Sequence, residues 1–221
     1  MEIFQTVTTR RSIRRFKPDP VPEPLLREIL EAARWSPSWG NTQPWEISVV
    51  TGAALDRFRK ANRQHLLDGV IPDPDTPMPD AWPEPLKQRY GDVGKQVLTA
   101  LAIPRGDKEA RLRYAGDMFA LFSAPSLLLF CVDRGIPREY AMLDTGAIVQ
   151  TVCLLAHARG LGSCILAASV RYPGLIREII PIPETRAVII GVVVGYPDGE
   201  APVNQFTRER ANPDEFIRWF Q

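Results

Sequence analysis

The sequence predicts an α+β domain with a central, mainly antiparallel sheet among helices. Three observations carry this expectation. Segments with helical apolar spacing outnumber strand-like runs. The strand-like runs are spread through the chain. At 221 residues and 45% hydrophobic content, the chain can bury a real core. A single domain over 1–221 is expected, and neither an internal repeat nor a low-complexity segment interrupts it.

The elements follow in order. Residues 2–9 form a short amphipathic segment with Ile3, Phe4 and Val7 on one side, leading into a basic cluster. Over 23–35, Leu25, Leu26, Ile29, Leu30 and Ala33 recur at helical spacing. Pro24 suits a first turn, and Pro37 ends the helix because the residue before proline avoids the α region. A strand is expected at 46–50 and a helix at 53–67. Residues 69–85 carry six of the chain's 21 prolines, too many for a helix or a central strand. Long ordered loops are usually functional, so this stretch is expected to be a lid. Helices follow at 86–102 and 107–122, then a buried strand at 126–132 and a long, mostly apolar helix at 139–159. A strand near 164–168, a helix at 173–180 and a β-branched run at 187–194 complete the body. From about 200 to 221 a polar arm ends in Phe216, Trp219 and Phe220, aromatics that need a cover such as a partner subunit.

Composition excludes several classes. With 27 basic and 26 acidic residues, no global field favours nucleic acid or an anionic membrane. No apolar run approaches the ~20 residues that span a bilayer. The opening, with Glu2 early and no apolar core before a cleavage site, does not read as a secretory signal. Cys131, Cys153 and Cys164 sit in apolar stretches, without a C-x-x-C pair, and are expected to be buried reduced thiols in a cytoplasmic protein. His65 and His157 are the only histidines, and no Cys/His cluster has metal-ligand spacing, so no metal site is expected. Gly160 and Gly162 lack the third glycine and the preceding strand of a dinucleotide fingerprint. The pair reads as a helix end and turn.

Three segments could carry chemistry. Arg10-Arg11-Ser12-Ile13-Arg14-Arg15-Phe16-Lys17 packs five cations into eight positions. A solvated basic face is the plain alternative. However, Arg10, Arg11 and Ser12 are consecutive at a helix end, where forked guanidiniums and a hydroxyl can converge on one phosphate. Ile13 and Phe16 would anchor the strip to a core. The segment Ser36 to Trp45, rich in small, polar and proline residues, can fix backbone donors and acceptors toward a flat heteroaromatic edge. It could equally be an ordinary helix-to-strand loop. Leu166-Ala167-Ala168-Ser169, at a strand end, reads by composition as core.

Together these residues resemble the nitroreductase family over most of the chain. The carriers are R-R-S-I-R-R-F at 10–16, S-P-S-x-G-N-x-Q-P-W at 36–45, and G-L-G-S-C, I-R-E-I-I and G-V-V-V-G-Y-P within 160–197, in the family's order and spacing. D-A-W-P-E-P-L at 80–86 and N-Q-F-T-R-E-R at 204–210 resemble the branch of bacterial nitroaromatic reductases. The resemblance implies a nitroreductase-like fold, an intertwined homodimer and an FMN cofactor at its interface. Arg10, Arg11, Ser12 and Arg14 match positions that hold the FMN phosphate and ribityl chain. Pro37, Ser38, Trp39 and Asn41, with Gln43 close behind, match the segment reaching the flavin from the other subunit. Leu166, Ala167 and Ala168 match the stretch beside the flavin ring, where a backbone N–H meets N5. Arg210 matches a late arginine that returns to the phosphate, with Arg208 as second candidate. Trp39 departs from the small residue common there, and no side-chain hydroxyl precedes Ser169 at the N5 turn. Glu84 and Tyr90 lie six apart, which disfavours halotyrosine dehalogenation.

The implied activity is passage of hydride from NADH or NADPH through FMN to a small-molecule acceptor such as a nitroaromatic or quinone, with no catalytic acid or base named. Trp82 and the proline-rich loop are expected to shape the acceptor site, although a packed surface loop is an equal reading. The same scaffold supports ene reduction, azole dehydrogenation and flavin cleavage. A non-catalytic flavin-storage protein, or a nucleic-acid module using Arg10 to Lys17, belongs to a different class.

Overall fold

The computed structural model describes residues 2–221, and most of the apolar periodicities in the sequence become its elements. Glu2 caps α1 (Ile3–Thr9) by accepting from the Gln5 N–H. In α2 (Glu23–Ala33), Pro24 lies in the first turn, and Leu26, Ile29 and Ala33 bury one face. There follow β1 (Trp45–Thr51), α3 (Gly52–Leu67), α4 (Leu86–Ala100), α5 (Lys108–Phe119), β2 (Ser126–Asp133), α6 (Arg138–Ala158), β3 (Gly162–Leu166), α7 (Pro173–Ile179) and β4 (Arg186–Gly195).

The strands form one sheet in the order β1-β2-β4-β3, and each neighbouring pair is antiparallel. Leu127, Leu129 and Cys131 of β2 pack with Phe58, Phe119 and Ile176, drawn from α3, α5 and α7. Leu128 and Phe130 point the other way, into a second core with Leu26, Ile29 and Val152 of α2 and α6. A strand covered on both faces must be apolar at every position, which is why β2 reads as a continuous run. Each fully buried leucine stabilises by roughly 1.5–3 kcal/mol relative to exposure.

Several boundaries differ from the sequence reading. α5 stops at Phe119 because Leu121, Phe122 and Ser123 take φ of 58°, 52° and 57°, which a right-handed α-helix does not accommodate. β3 spans 162–166 instead of 164–168, and 167–170 wind into a 3-10 turn. Gly160, at φ 77°, makes the turn after α6. Gly162 is a strand residue for a different reason: a Cβ there would lie 2.5 Å from Ile13 Cγ1. The apolar side of α1 stays uncovered, with Ile3, Phe4 and Val7 exposed.

By length and composition α6 could cross a membrane, so the expectation that no apolar stretch approaches that length does not hold. Its Ile148, Val152, Cys153 and Ala156 are instead buried between α2 and the sheet, as in any core helix. The three cysteines are free and buried, and burial pushes the Cys131 thiol up to about 12.

Candidate functional site

The strip after α1 is laid along the sheet. Ser12 bridges Ser163 of β3 and Phe16 bridges Pro197, just past β4. The Ile13 N–H donates to the Ser163 carbonyl and the Lys17 N–H to the Tyr196 carbonyl, both at 2.9 Å. Ile13 and Phe16 are buried. The cations between these anchors are thereby fixed against a rigid edge.

Six of the residues singled out in the sequence meet here. Arg10, Arg11, Ser12 and Arg14 line a pocket of about 210 Å³ with Arg208 and Arg210. Val93 and Gln96 of α4 and Phe206 also line it, and Glu209 is the one acid among five guanidiniums. Arg11 donates to the Phe206 carbonyl and lies over the Phe206 ring, 5.3 Å from its centroid. Burial, and then the neighbouring Arg14, hold Arg11 below the usual guanidinium range. Burial followed by Arg11, Arg210 and Arg10 does the same to Arg208. Arg10 Nε is buried without a hydrogen-bond partner. So much crowded positive charge, with a donor left over, fits a multiply charged anion such as a phosphate.

The two late arginines differ in what they touch. Arg208 donates to the carbonyl oxygens of Arg10 and of Thr8, the latter at 2.7 Å, where α1 leaves its last carbonyls open. Arg210 donates to the adjacent Glu209 carbonyl at 2.7 Å and keeps most of its fork for the pocket.

A larger cavity of about 730 Å³ adjoins this pocket and shares Ser12, Arg14 and Val93 with it. Leu166, Ala167 and Ala168 line it from the end of β3, and Gly91 and Gly94 line it from α4. Its walls are mostly apolar, which suits a planar ring system. Ser169, the first hydroxyl after the strand, is buried and donates to the Leu166 carbonyl at 2.6 Å, so it is committed to the turn. Asn62 of α3 donates to the Ala168 carbonyl at 3.1 Å and to the Phe119 carbonyl at 2.7 Å. This buried amide pins the turn, and its only sequence signal is a polar residue on an apolar helix face. Met78 of the proline-rich loop lines the cavity, and Trp82 lies outside its lining.

Pro37, Ser38, Trp39, Asn41 and Gln43 line neither cavity of their own chain. Their loop is nevertheless rigidly built. Asn41 and Gln43 take φ of 60° and 47°, and the Gln43 N–H donates to Ser38 Oγ at 2.9 Å. The Trp39 N–H donates to both carboxylate oxygens of Asp144 at 3.1 Å, and the Trp39 ring packs on Tyr140 at 4.6 Å. Asp144 and Tyr140 both project from α6. Asp144, buried and holding this loop, was not singled out by the sequence; a carboxylate well inside a mostly apolar helix was the available signal.

Fold and site define a protein shaped to hold a phosphorylated, planar ligand along one edge of an antiparallel sheet. The chain belongs to the nitroreductase family, whose family model matches residues 7–196. It is 33% identical to a 4-nitrobenzoate reductase of Nocardioides sp. (strain LMS-CY), covering 99% of this chain and 91% of that protein. It is also 33% identical to a nitrobenzene nitroreductase of Ectopseudomonas oleovorans, covering 97% and 95%. Among solved structures it is similar to the FMN and NADPH-dependent nitroreductase NfnB from Sphigopyxis sp. strain HMH. That likeness has a TM-score of 0.95 at 30% identity and covers 100% of both chains.

Proposed function

We propose that this protein is an FMN-dependent oxidoreductase that passes hydride from NADH or NADPH to a small oxidised acceptor such as a nitroaromatic or a quinone. The observation that carries the reading is the five-arginine pocket, with its unpartnered Arg10 Nε, adjoining an apolar cavity large enough for a ring system. The names of the relatives, a 4-nitrobenzoate reductase and an FMN and NADPH-dependent nitroreductase, point the same way.

In this reading Arg10, Arg11 and Arg210 compensate the FMN phosphate, while Ser12 and Arg14 stand between phosphate and ring. Arg208 acts one step back, by fixing the carbonyl end of α1 and hence Arg10. The backbone at Leu166, Ala167 and Ala168 lies along the ring, and the buried Asn62 keeps that turn from shifting. When bound, FMN would supply the two-electron chemistry that links the nicotinamide donor to the acceptor. The chain's share is to orient, to exclude water and to place cations where negative charge accumulates.

The rigid loop carrying Pro37, Ser38, Trp39, Asn41 and Gln43 is assigned to the flavin site of a second copy, because it reaches neither cavity of its own chain. A homodimer also accounts for the uncovered apolar residues Phe4, Trp35, Trp219 and Phe220, all more than three-quarters exposed. The arm from about 200 to 221 belongs to that interface, and the later part of 69–85 roofs the cavity. Three buried free thiols suit a reducing, cytoplasmic setting.

A fluorescence titration of purified protein with FMN tests the assignment. The native protein binds FMN, and Arg10→Ala combined with Arg210→Ala loses it on dilution. A double variant that retains FMN as well as the native protein does would refute the phosphate assignment.

A further inference from the structure

The proline-rich loop divides into a tethered half and a free half, and the division falls at a buried carboxylate. The loop leaves α3 with the Val70 N–H donating to the His65 carbonyl at 2.9 Å, and the Val70 carbonyl accepts from Tyr172 Oη at 3.3 Å. Three residues on, the Asp73 N–H donates to the Arg171 carbonyl at 3.2 Å. Asp75 then turns its side chain inward, where it is only 10% exposed. One oxygen accepts from Arg134; the other accepts from Arg177 at 2.9 Å and from the Val188 N–H at 2.8 Å. The Asp75 carbonyl accepts from Arg138 at 3.2 Å. Beyond it, among the described residues, 77–82 make no hydrogen bond or ion pair, and Met78 of this free part lines the large cavity.

The Val188 contact shows why a carboxylate stands there. β3 pairs with β4 only over Gly191–Gly195, and the partner register of β2 shifts between Phe130 and Cys131, so the first half of β4 is less fully paired. Asp75 takes up a main-chain donor of that stretch and is the buried carboxylate partner of Arg177, whose side chain is 11% exposed and whose other acidic partner, Glu184 at 3.3 Å, lies largely in solvent. The segment's path over the cavity is therefore fixed by the sheet itself, through one residue three positions before Met78.

We propose that Asp75 is a positioning residue for acceptor binding: it locks the proline-rich segment to β4 and α7 and so sets where Met78 closes the cavity. The inference rests on the oxidoreductase reading of that cavity. It implies that the acceptor meets a wall of fixed position, with motion confined to the part after Thr76.

The test compares native holoprotein with Asp75→Asn and Asp75→Glu, each checked for FMN content and thermal stability. Hydrogen–deuterium exchange over 70–90 and steady-state kinetics with 4-nitrobenzoate as the probe acceptor are then measured. Asp75→Asn is expected to raise exchange at 70–76 toward that of 77–82, and to raise the acceptor KM several-fold while kcat changes by less than twofold. Asp75→Glu is expected to restore part of both. If Asp75→Asn does not fold, Arg134→Gln removes the more exposed of the two cationic partners and is expected to shift both readouts in the same direction. Unchanged exchange and unchanged KM in a folded variant overturn the proposal, as does an equal loss of kcat with KM unmoved. A native protein that binds no FMN instead refutes the underlying reading, and the exchange result still reports on the tether.

Discussion

Arg208 donates to the main-chain carbonyl of Arg10, so a residue near the end of the chain closes the first helix just where the basic strip begins. The contact separates two late arginines that look equivalent in sequence. Arg208 builds the pocket wall and Arg210 faces the pocket.

Replacing each by alanine should therefore give different results. Arg210→Ala removes a charge-assisted contact worth about 1.5–3 kcal/mol, so FMN binds roughly ten- to a hundredfold more weakly, with the apoprotein's Tm unchanged. Arg208→Ala leaves the carbonyls at the end of α1 open as well, costing on the order of 1 kcal/mol and a few degrees of apoprotein Tm. Calorimetry of both apoproteins beside FMN titrations checks this; identical Tm values for the two variants would contradict the division of labour.

Two glycines test how space is used. A methyl at Gly162 would meet Ile13, so Gly162→Ala should destabilise by about 1–3 kcal/mol and loosen the basic strip. Gly94 of α4 lines the large cavity, and a methyl there meets no neighbouring atom within 4 Å. Gly94→Ala should stabilise the apoprotein by up to about 1 kcal/mol through helix propensity. It should also weaken FMN or slow bulky acceptors more than small ones. Denaturant unfolding and paired acceptor kinetics would show whether the two glycines part in this way.

Asp144 should matter to a site it does not touch in its own chain. Asp144→Ala frees the Trp39 N–H and lets the 36–45 loop relax, and weaker FMN binding with the dimer intact is expected. In mixed dimers of this variant with Arg10→Ala/Arg210→Ala, one composite site is spared and the other carries both lesions. Half of the native FMN content should then return. No recovery on mixing would place each flavin within one chain.

Acid stability carries a signature of Asp75. Burial raises its pKa, but the Val188 N–H, Arg134 and Arg177 outweigh burial, leaving it below the usual carboxylate range. A depressed folded value contributes stability that is full above the unfolded pKa of about 4 and is lost as pH falls through the folded one. Native protein should lose stability below about pH 4, and Asp75→Asn should lose less over that interval. Parallel acid limbs would contradict this account of the anchor.

Much of the architecture was legible because burial dictates pattern. β2 and β4 are covered on both faces and had to be apolar throughout, and α2 shows its one buried face as Leu26, Ile29 and Ala33. The basic strip was legible because its charges are interleaved with Ile13 and Phe16, which the core buries. What stayed hidden depends on partners distant in sequence. Asn62 matters only because the 167–170 turn lies above it, and Asp144 only because Trp39 folds onto α6. The left-handed run 121–123 falls at residues with no local preference for it, so α5 was read too long. The exposed side of α1 has the pattern of a buried face, yet Ile3, Phe4 and Val7 find no cover within the single chain.

The central claim is tested most directly by an anaerobic absorbance spectrum of the FMN-loaded protein before and after NADH or NADPH, and again after a nitroaromatic is added. The account predicts a bound flavin band that bleaches with the nicotinamide and returns with the acceptor. A bound flavin that neither nicotinamide bleaches, or a protein that takes up no FMN at all, would contradict it.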